Sequence, residues 1–285
     1  MKILIIGGSR FVGPLLVRKL VTNGHAVTVF NRGKIKTEYP ESVNFIKGDR
    51  NSGFNIDQHF DVVIDTCAYN GRQTKTALDD LSYDFFIHFG SVASYKKTEV
   101  FPLVEESPSG DWPFMGEYSK GKVECEKVLS ESGKKYASIR PVYILGPDNY
   151  IDRENFIYTR INEEQTIILP GNGQALIQFV FVQDVVEILT LLAERKIEGV
   201  FNCASDEAIT LKGLTEYMAE LVNKKPLIQY NSSADGSNYD GTEFPFANEN
   251  MVCSNQKLKD IGIKFTPLLD GLRDDFNSYY KAALK

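Results

Sequence analysis

The chain is poor in the residues that mark several protein classes. It has four cysteines in 285 residues, Cys67, Cys125, Cys203 and Cys253, with no CxxC pair and no histidine at ligand spacing. Such a set does not build a disulfide framework, and it implies reduced, packed thiols in a cytoplasmic protein. His25, His59 and His88 are scattered, so no metal site is expected. No apolar run reaches the ~18 residues that a membrane-spanning helix needs. The first residues, MKILIIGG, lack the apolar length and cleavage site of a secretory signal. A large excess of one charge is missing too: 32 Lys and Arg stand against 38 Asp and Glu, a net charge of −6. Nucleic acid is disfavoured as a partner, because phosphate binding needs clustered cations.

What the chain does have is an average globular composition, 42% hydrophobic and 25% charged. That excludes a disordered acidic chain and allows one or two domains with a full core. Charge is uneven along it: residues 1–150 net +1 and residues 151–285 net −7. The first half alternates apolar runs with helical patterns. KILIIGG, AVTVF (26–30), VNFIKG (43–48), DVVID (61–65), FFIHF (85–89) and YASIR (136–140) read as strands. Helices are expected at about 12–22 and 117–132. This alternation predicts an α/β fold with a doubly wound parallel sheet of the Rossmann type. The second half is less regular, with amphipathic helices at 185–196 and 211–224 and a strand at 199–205 between them. We therefore expect a dinucleotide-binding domain over 1–150. A smaller mixed substrate-binding region would cover 151–285, with elements near 178–205 returning to the first core. Residues 231–250 lack an apolar period and read as a solvated connection or a lid over a ligand.

Ile6 to Gly13 reads IGGSRFVG and lies between the first strand and the first helix. A dinucleotide pyrophosphate sits at such a junction, where free helix N–H groups and the helix dipole favour negative charge. The candidate cofactor residues are Gly7, Ser9, Arg10, Phe11, Val12 and Gly13. Gly7 permits the tight turn, and Gly13 permits close helix packing. Arg10 stands where a middle glycine is expected, so its side chain must point away or towards phosphate. At the end of the second strand no acid is present to hold a ribose 2′-hydroxyl; Asn31, Arg32 and Lys34 are there instead. A guanidinium there suits a 2′-phosphate, which favours NADP(H), with NAD(H) as the alternative. The plainer reading makes Arg32 and Lys34 a solvated turn.

Tyr118 and Lys122 are four apart on a predicted helix and share a face. A tyrosine hydroxyl ordinarily ionises near pH ~10, and a nearby ammonium favours the phenolate. Tyr118 would act as general acid or base at a substrate hydroxyl or carbonyl. Lys122 would also reach the nicotinamide ribose. Ser91, just past the fifth strand, would hydrogen-bond the same substrate oxygen.

IGGSRFVG, KGDRN (47–51), DVVIDTCA (61–68), FGSVASY (89–95), EYSKGKVECE (117–126), RPVYILGP (140–147) and FVFVQDVV (179–186) together resemble the extended short-chain dehydrogenase/reductases, also called the NAD-dependent epimerase/dehydratase family. The resemblance covers residues 1 to about 225, and its closest look is to an atypical branch that includes chloroplast stem-loop-binding relatives. It implies that Ser91, Tyr118 and Lys122 form the catalytic trio. It also places Asp49 at the adenine with Arg50 beside it, and Thr66, Cys67 and Ala68 along the cofactor. Pro141 to Tyr143 would lie at the carboxamide end. For Cys67 a small packed side chain is an equal reading. The family pairs subunits through a four-helix contact, which would use the 117–132 helix. Three features depart from the pattern. Val92 and Ala93 replace the acidic pair of the sugar dehydratases, Ile177 replaces a diphosphate-binding arginine, and Arg10 replaces a glycine. Arg153 and Arg160 would take an anion, or form a solvated helix face. The expected function is NAD(P)-dependent oxidoreduction or epimerisation of a small, sugar-like substrate. The alternatives are a nucleotide-sensing or RNA-binding protein and a structural protein with a relict site.

Overall fold

Four successive apolar residues, Ile3 to Ile6, can lose all contact with water only in the middle of a sheet covered on both faces. In the computed structural model, which describes residues 1–110, 112–236, 238 and 240–284, all four are buried. The first half runs β1 (Lys2–Ile6), α1 (Val12–Thr22), β2 (Ala26–Asn31), β3 (Asn44–Lys47), β4 (His59–Asp65), α2 (Gly71–Asp80), β5 (Ser82–Phe89), α3 (Gly116–Glu131) and β6 (Tyr136–Pro141). The second half runs β7 (Tyr143–Leu145), α4 (Glu154–Asn162), β8 (Thr166–Pro170), β9 (Leu176–Phe181), α5 (Val182–Arg195), β10 (Gly199–Cys203), β11 (Ala208–Thr210), α6 (Leu211–Val222), β12 (Leu227–Asn231), α7 (Gln256–Asp260) and α8 (Leu268–Asp275). Strands β3-β2-β1-β4-β5-β6-β10 form one sheet, parallel at every pairing.

Alternation along β1 sends side chains to opposite faces. Ile3 and Ile5 pack with Leu16, Val17 and Leu20 of α1 and with Ile188 and Leu192 of α5. Leu4 and Ile6 pack with Ala77 and Leu78 of α2 and with Leu129 of α3. The sheet is therefore covered on both faces, and the doubly wound expectation holds. A second core joins Ile157 and Ile161 of α4, Ile177 and Phe179 of β9, Leu214 and Met218 of α6, and Leu268 and Leu272 of α8. It includes the mixed sheet β11-β9-β7, and β8 pairs with β12 as a two-stranded ribbon. No helix among the described residues is long and apolar enough to cross a membrane.

Three differences from the expected pattern have physical causes. Helix α2, GRQTKTALDD, carries little apolar periodicity; Asn70 caps it by accepting the Gln73 N–H at 3.0 Å. Strands β7, β8, β9, β11 and β12 are short pieces whose partners lie far away in sequence. Residues 231–250 are not simply a solvated connection: Phe244, Phe246 and Ala247 are each 1% exposed in the second core. Two isolated aromatics suffice to pin a polar segment without any period. Ser237 and Tyr239 of that segment lie outside the described residues. The helix that would carry a four-helix contact presents exposed Glu124 and Lys127 beside exposed Lys75 and Asp79 of α2.

Two buried ionisable groups are held by specific partners, one at the end of β4 in the large sheet and one at the start of α4. Arg50, just past β3, donates Nη1 and Nη2 to the two carboxylate oxygens of Asp65 at 2.6 and 2.7 Å. Asp65 ends β4 with no exposure, and Nη2 also donates to the Gln73 carbonyl at 2.9 Å. Burial alone would raise the Asp65 pKa, but the guanidinium beside it holds it below the ordinary carboxylate value. Glu154, which opens α4, accepts the Gly146 N–H at 2.6 Å, and burial pushes its carboxyl up to about 7.

Arg50→Met leaves a buried carboxylate uncompensated and is expected to lower unfolding free energy by about 3–5 kcal/mol. In a double-mutant cycle followed by urea unfolding, adding Asp65→Leu should restore part of that loss. Glu154 gives a different signature. Its folded pKa of about 7 lies above the ordinary 4.5, so the native state holds the proton more tightly. Its contribution is full below the ordinary value and is lost as pH rises through the folded one. From this group alone, stability should fall by on the order of 2–3 kcal/mol between about pH 5 and pH 8. Asp275, raised to about 6 by burial, adds a decline of the same sign at lower pH. Glu154→Gln, which keeps an acceptor for Gly146, should flatten the upper part of the profile.

Candidate functional site

The loop between β1 and α1 turns at Gly7 and Gly8, with φ of +97° and +72°. A Cβ at Gly7 would lie 2.5 Å from Thr66 Oγ1, and one at Gly13 would lie 2.4 Å from the Gly8 carbonyl carbon. Backbone is thus packed on backbone, leaving the loop surface open. Hydrogen bonds fix it from behind. The Gly7 N–H donates to Phe30 O at 2.9 Å, and Asn31 Nδ2 donates to Gly7 O at 2.9 Å. Thr37 and Tyr39 donate their hydroxyls to the Ser9 and Gly8 carbonyls, each at 3.0 Å. Helix α1 has no side-chain cap and no acid in its first turn. Within its first turn the Gly13 N–H donates to Arg10 O at 2.9 Å and Pro14 has no N–H, so an anion here, such as a dinucleotide pyrophosphate, would meet the Val12 N–H, the loop backbone and the positive end of the helix dipole.

A cleft of about 310 Å³ opens on one side of the loop, lined by Gly7, Ser9, Asn31, Arg32, Lys34, Asp49 and Arg50, among others. Arg32 and Lys34 are exposed there. Asn31 is already engaged by the loop and by the Gly33 N–H at 2.8 Å. Asp49 Oδ1 accepts the Asn51 N–H at 2.9 Å and so shapes the turn after β3. Arg50 lines the cleft, but its guanidinium is turned inward to Asp65.

A second cavity of about 390 Å³ lies at the carboxyl ends of β4, β5 and β6 and shares Cys67 and Tyr69 with the first. Phe11, Thr66, Ser91, Tyr118, Lys122, Pro141 and Tyr143 line it. Ser119 Oγ donates to Ala93 O at 2.6 Å, which ties the first turn of α3 to the turn that Ser91 begins. Ser91 Oγ accepts the Ala93 N–H at 3.1 Å, leaving its own proton to donate. Lys122 is 4% exposed and donates Nζ to Ala68 O at 2.9 Å and Phe89 O at 2.8 Å. Its ammonium lies 5.6 Å from the Tyr118 ring centroid and 5.7 Å from that of Tyr69. Tyr118 stands at the mouth, 38% exposed. Its hydroxyl has no hydrogen-bond partner among the described residues.

Four expected cofactor positions, Arg10, Val12, Gly13 and Ala68, line neither space. Val12 and Gly13 are buried in the first turn of α1, and Ala68 is fully buried with its carbonyl accepting from Lys122. Arg10 lies over Tyr150, a wall residue of the second cavity, its guanidinium 5.1 Å from that ring centroid. Burial and the Asp65 charge push the Cys67 thiol up to about 11, so it remains a neutral packed group. Ile177 is fully buried in the second core. Of the two arginines read as anion candidates, Arg153 lines the second cavity, while Arg160 lies over Phe156. Sequence reasoning missed Tyr69, Tyr150 and Met251 on these walls. Only Tyr69 carries a signal, its place just past the carboxyl end of a parallel strand. It also missed His88, which pairs in register with Asp65 and Ser138. Burial, with Lys122 nearby, lowers its pKa to about 3 and keeps the ring neutral.

Residues 75–204 match the sequence profile of the NAD dependent epimerase/dehydratase family. The chloroplast stem-loop binding protein of 41 kDa b from Arabidopsis thaliana is 30% identical over 301 residues, covering 97% of this chain and 78% of that protein. UDP-glucose 4-epimerase from Thermotoga maritima, solved with UDP-glucose, superposes with a TM-score of 0.78 at 20% identity over 100% of both chains. UDP-glucuronic acid 4-epimerase from Bacillus cereus, solved with NAD, gives 0.77 at 17% identity over 100% of both. The glycine loop, the paired clefts and these likenesses agree, and the chain belongs to the NAD-dependent epimerase/dehydratase family of extended short-chain dehydrogenase/reductases.

Proposed function

We propose that this protein is an NAD(P)-dependent oxidoreductase or epimerase that acts on a hydroxyl or carbonyl of a small substrate. The observation that carries the reading is one cavity holding Ser91, Tyr118 and Lys122 and joined at Cys67 and Tyr69 to the cleft beside the glycine loop. The loop backbone and α1 N-terminus would hold the pyrophosphate, and Asp49 would border the adenine. Arg32 and Lys34 would take a 2′-phosphate, which supports NADP(H) over NAD(H). When bound, the dinucleotide supplies hydride donation and acceptance.

The chain's own residues move the proton. Tyr118 gives its hydroxyl proton to a substrate carbonyl oxygen, or takes one from a substrate hydroxyl. Ser91 donates a hydrogen bond to the same oxygen. The Lys122 ammonium, held by two carbonyls, has one N–H left and places positive charge beside Tyr118, where negative charge develops. With Val92 and Ala93 after Ser91, no acid stands there to protonate a leaving hydroxyl, which disfavours dehydration. RNA binding is the weaker reading: the stem-loop name belongs to a relative, and this chain carries a net charge of −6.

Titration followed by the fluorescence of the reduced nicotinamide should give saturable binding of NADPH, and weaker binding of NADH. Failure of both at millimolar concentration overturns the proposal. Arg32→Ala should weaken NADPH about tenfold and leave NADH unchanged, the loss expected for one charged hydrogen bond. Tyr118→Phe should keep the dinucleotide affinity and lower turnover by about a hundredfold or more.

A further inference from the structure

The cavity that holds Ser91 and Tyr118 is apolar over most of its wall. Met115, Val142, Tyr143, Ile144, Ile151 and Met251 all line it. Its polar lining includes the tyrosines Tyr69, Tyr118, Tyr143 and Tyr150 with Ser91, while several other polar groups already serve the fold. Asn149 donates Nδ2 to Ile144 O and accepts the Ile151 N–H, both at 3.1 Å. Thr66 donates to Ile6 O at 2.8 Å and accepts the Gly8 N–H at 3.2 Å. Lys122 spends two of its three N–H groups on carbonyls. A polyhydroxylated ring entering this space would set some of its hydroxyls, unpaired, against the apolar wall of Met115, Val142, Ile144, Ile151 and Met251. Each one left over costs about 1–3 kcal/mol.

One strong donor on the wall is not committed. The Arg153 guanidinium lies over the Tyr143 ring, 5.0 Å from its centroid, and both residues line the cavity. Its Nη1 reaches only the Ile144 carbonyl, at 3.5 Å. Its Nε is shielded from solvent and has no partner among the described residues. No ion pair among them includes Arg153, and the neighbouring Glu154 carboxylate is turned to the Gly146 N–H. A guanidinium presents several donors in a plane, which match a carboxylate or phosphate in a forked pair. Stacking on an aromatic face orients that fork and reduces the entropy lost when it binds.

We infer that the substrate has an apolar body with a single anionic group, which Arg153 binds, and one hydroxyl or carbonyl presented to Ser91 and Tyr118. The inference rests on the reading of this cavity as the reaction site, and narrows its small substrate to apolar carboxylates or monophosphates. Such a ligand leaves few polar atoms unpaired and gives the orphaned Nε an acceptor.

The test is isothermal titration calorimetry on the full chain, with and without NADPH, using four probes. Benzylpyruvate carries an apolar body, a carbonyl and a carboxylate. Benzylacetone is the same molecule with a methyl in place of the carboxylate. Phenethyl phosphate keeps the apolar body and carries a monophosphate but no carbonyl, so it probes the anion contact alone, and UDP-glucose is the sugar nucleotide. Benzylpyruvate or phenethyl phosphate should bind about tenfold or more tightly than benzylacetone, the gain of one charged, forked hydrogen-bond pair. Whichever is tighter identifies the anion. Arg153→Met should remove the advantage of the charged probes without changing benzylacetone affinity, and Arg153→Lys should restore part of it. Should Arg153→Met fail to fold, Arg153→Lys carries the comparison and should lie below the wild type. The inference is overturned if neither charged probe binds at millimolar concentration, if benzylacetone binds equally well, if the substitutions leave the difference intact, or if UDP-glucose binds most tightly. NADPH binding in the same samples separates the two readings. Intact NADPH binding with failed probes removes this inference alone. Arg153-dependent binding of an anion without NADPH binding removes the cofactor reading.

Discussion

A lysine ammonium can be buried only where oxygen atoms replace its water, and the placement of Lys122 organises the whole site. Its partners are the main-chain carbonyls of Ala68 and Phe89, one just beyond β4 and one at the end of β5. These two bonds lock α3 to the carboxyl edge of the sheet, where a parallel α/β fold opens a crevice. Tyr118 lies one helical turn earlier and so is carried to the cavity mouth. Ser91 follows Phe89 by two residues and is brought to the same wall. The same charge is felt below, where burial and Lys122 together keep His88 neutral beside Asp65. Arg50 then meets the Asp65 carboxylate from the other side. The carboxyl edge of β4 and β5 is thus a row of alternating charges, each paired or neutralised.

Much of this was legible in the sequence, because it depends on local spacing. The glycine loop follows a fully apolar strand, and the chain's short strands recur in register with the sheet. Tyr118 and Lys122 are four apart, which in a helix is a statement about direction. The parts that were not legible depend on distant pairings. Arg50 follows Asp49, so both were assigned to the cofactor wall; only the fold brings Asp65 within reach and turns the guanidinium inward. Arg153 was balanced between a solvated face and an inward one, and Tyr143, ten residues earlier, decides it by offering a ring to lie on. Helix α2 escaped notice because its apolar content is Ala77 and Leu78. Phe244 and Phe246 pin a stretch that composition alone describes as loop.

The replacement of the middle loop glycine by Arg10 is resolved without distorting the turn. Gly8 and Gly13 still approach each other closely, so the backbone geometry does not need a third glycine. The arginine side chain leaves outward and lies on Tyr150, in the segment that follows β7. The uneven charge along the chain acquires a location in this way. Arg10, Arg32 and Lys34 are all exposed around the loop, on an otherwise near-neutral half. The strongly acidic half contributes one inward cation to the second cavity, and that cation is Arg153.

Strand β10 supplies the last strand of the sheet from the second half of the chain, pairing with β6 over Gly199 to Cys203. Helix α5, just before it, covers the same face as α1. On the ribosome, therefore, the sheet stays one strand short for some time after β6 is made. During that interval β6 is an open edge, with unpaired N–H and C=O groups facing whatever else is in the crowded exit vestibule. The chain's first half is in this sense an unfinished object, and its completion is timed by the emergence of residues 199–203.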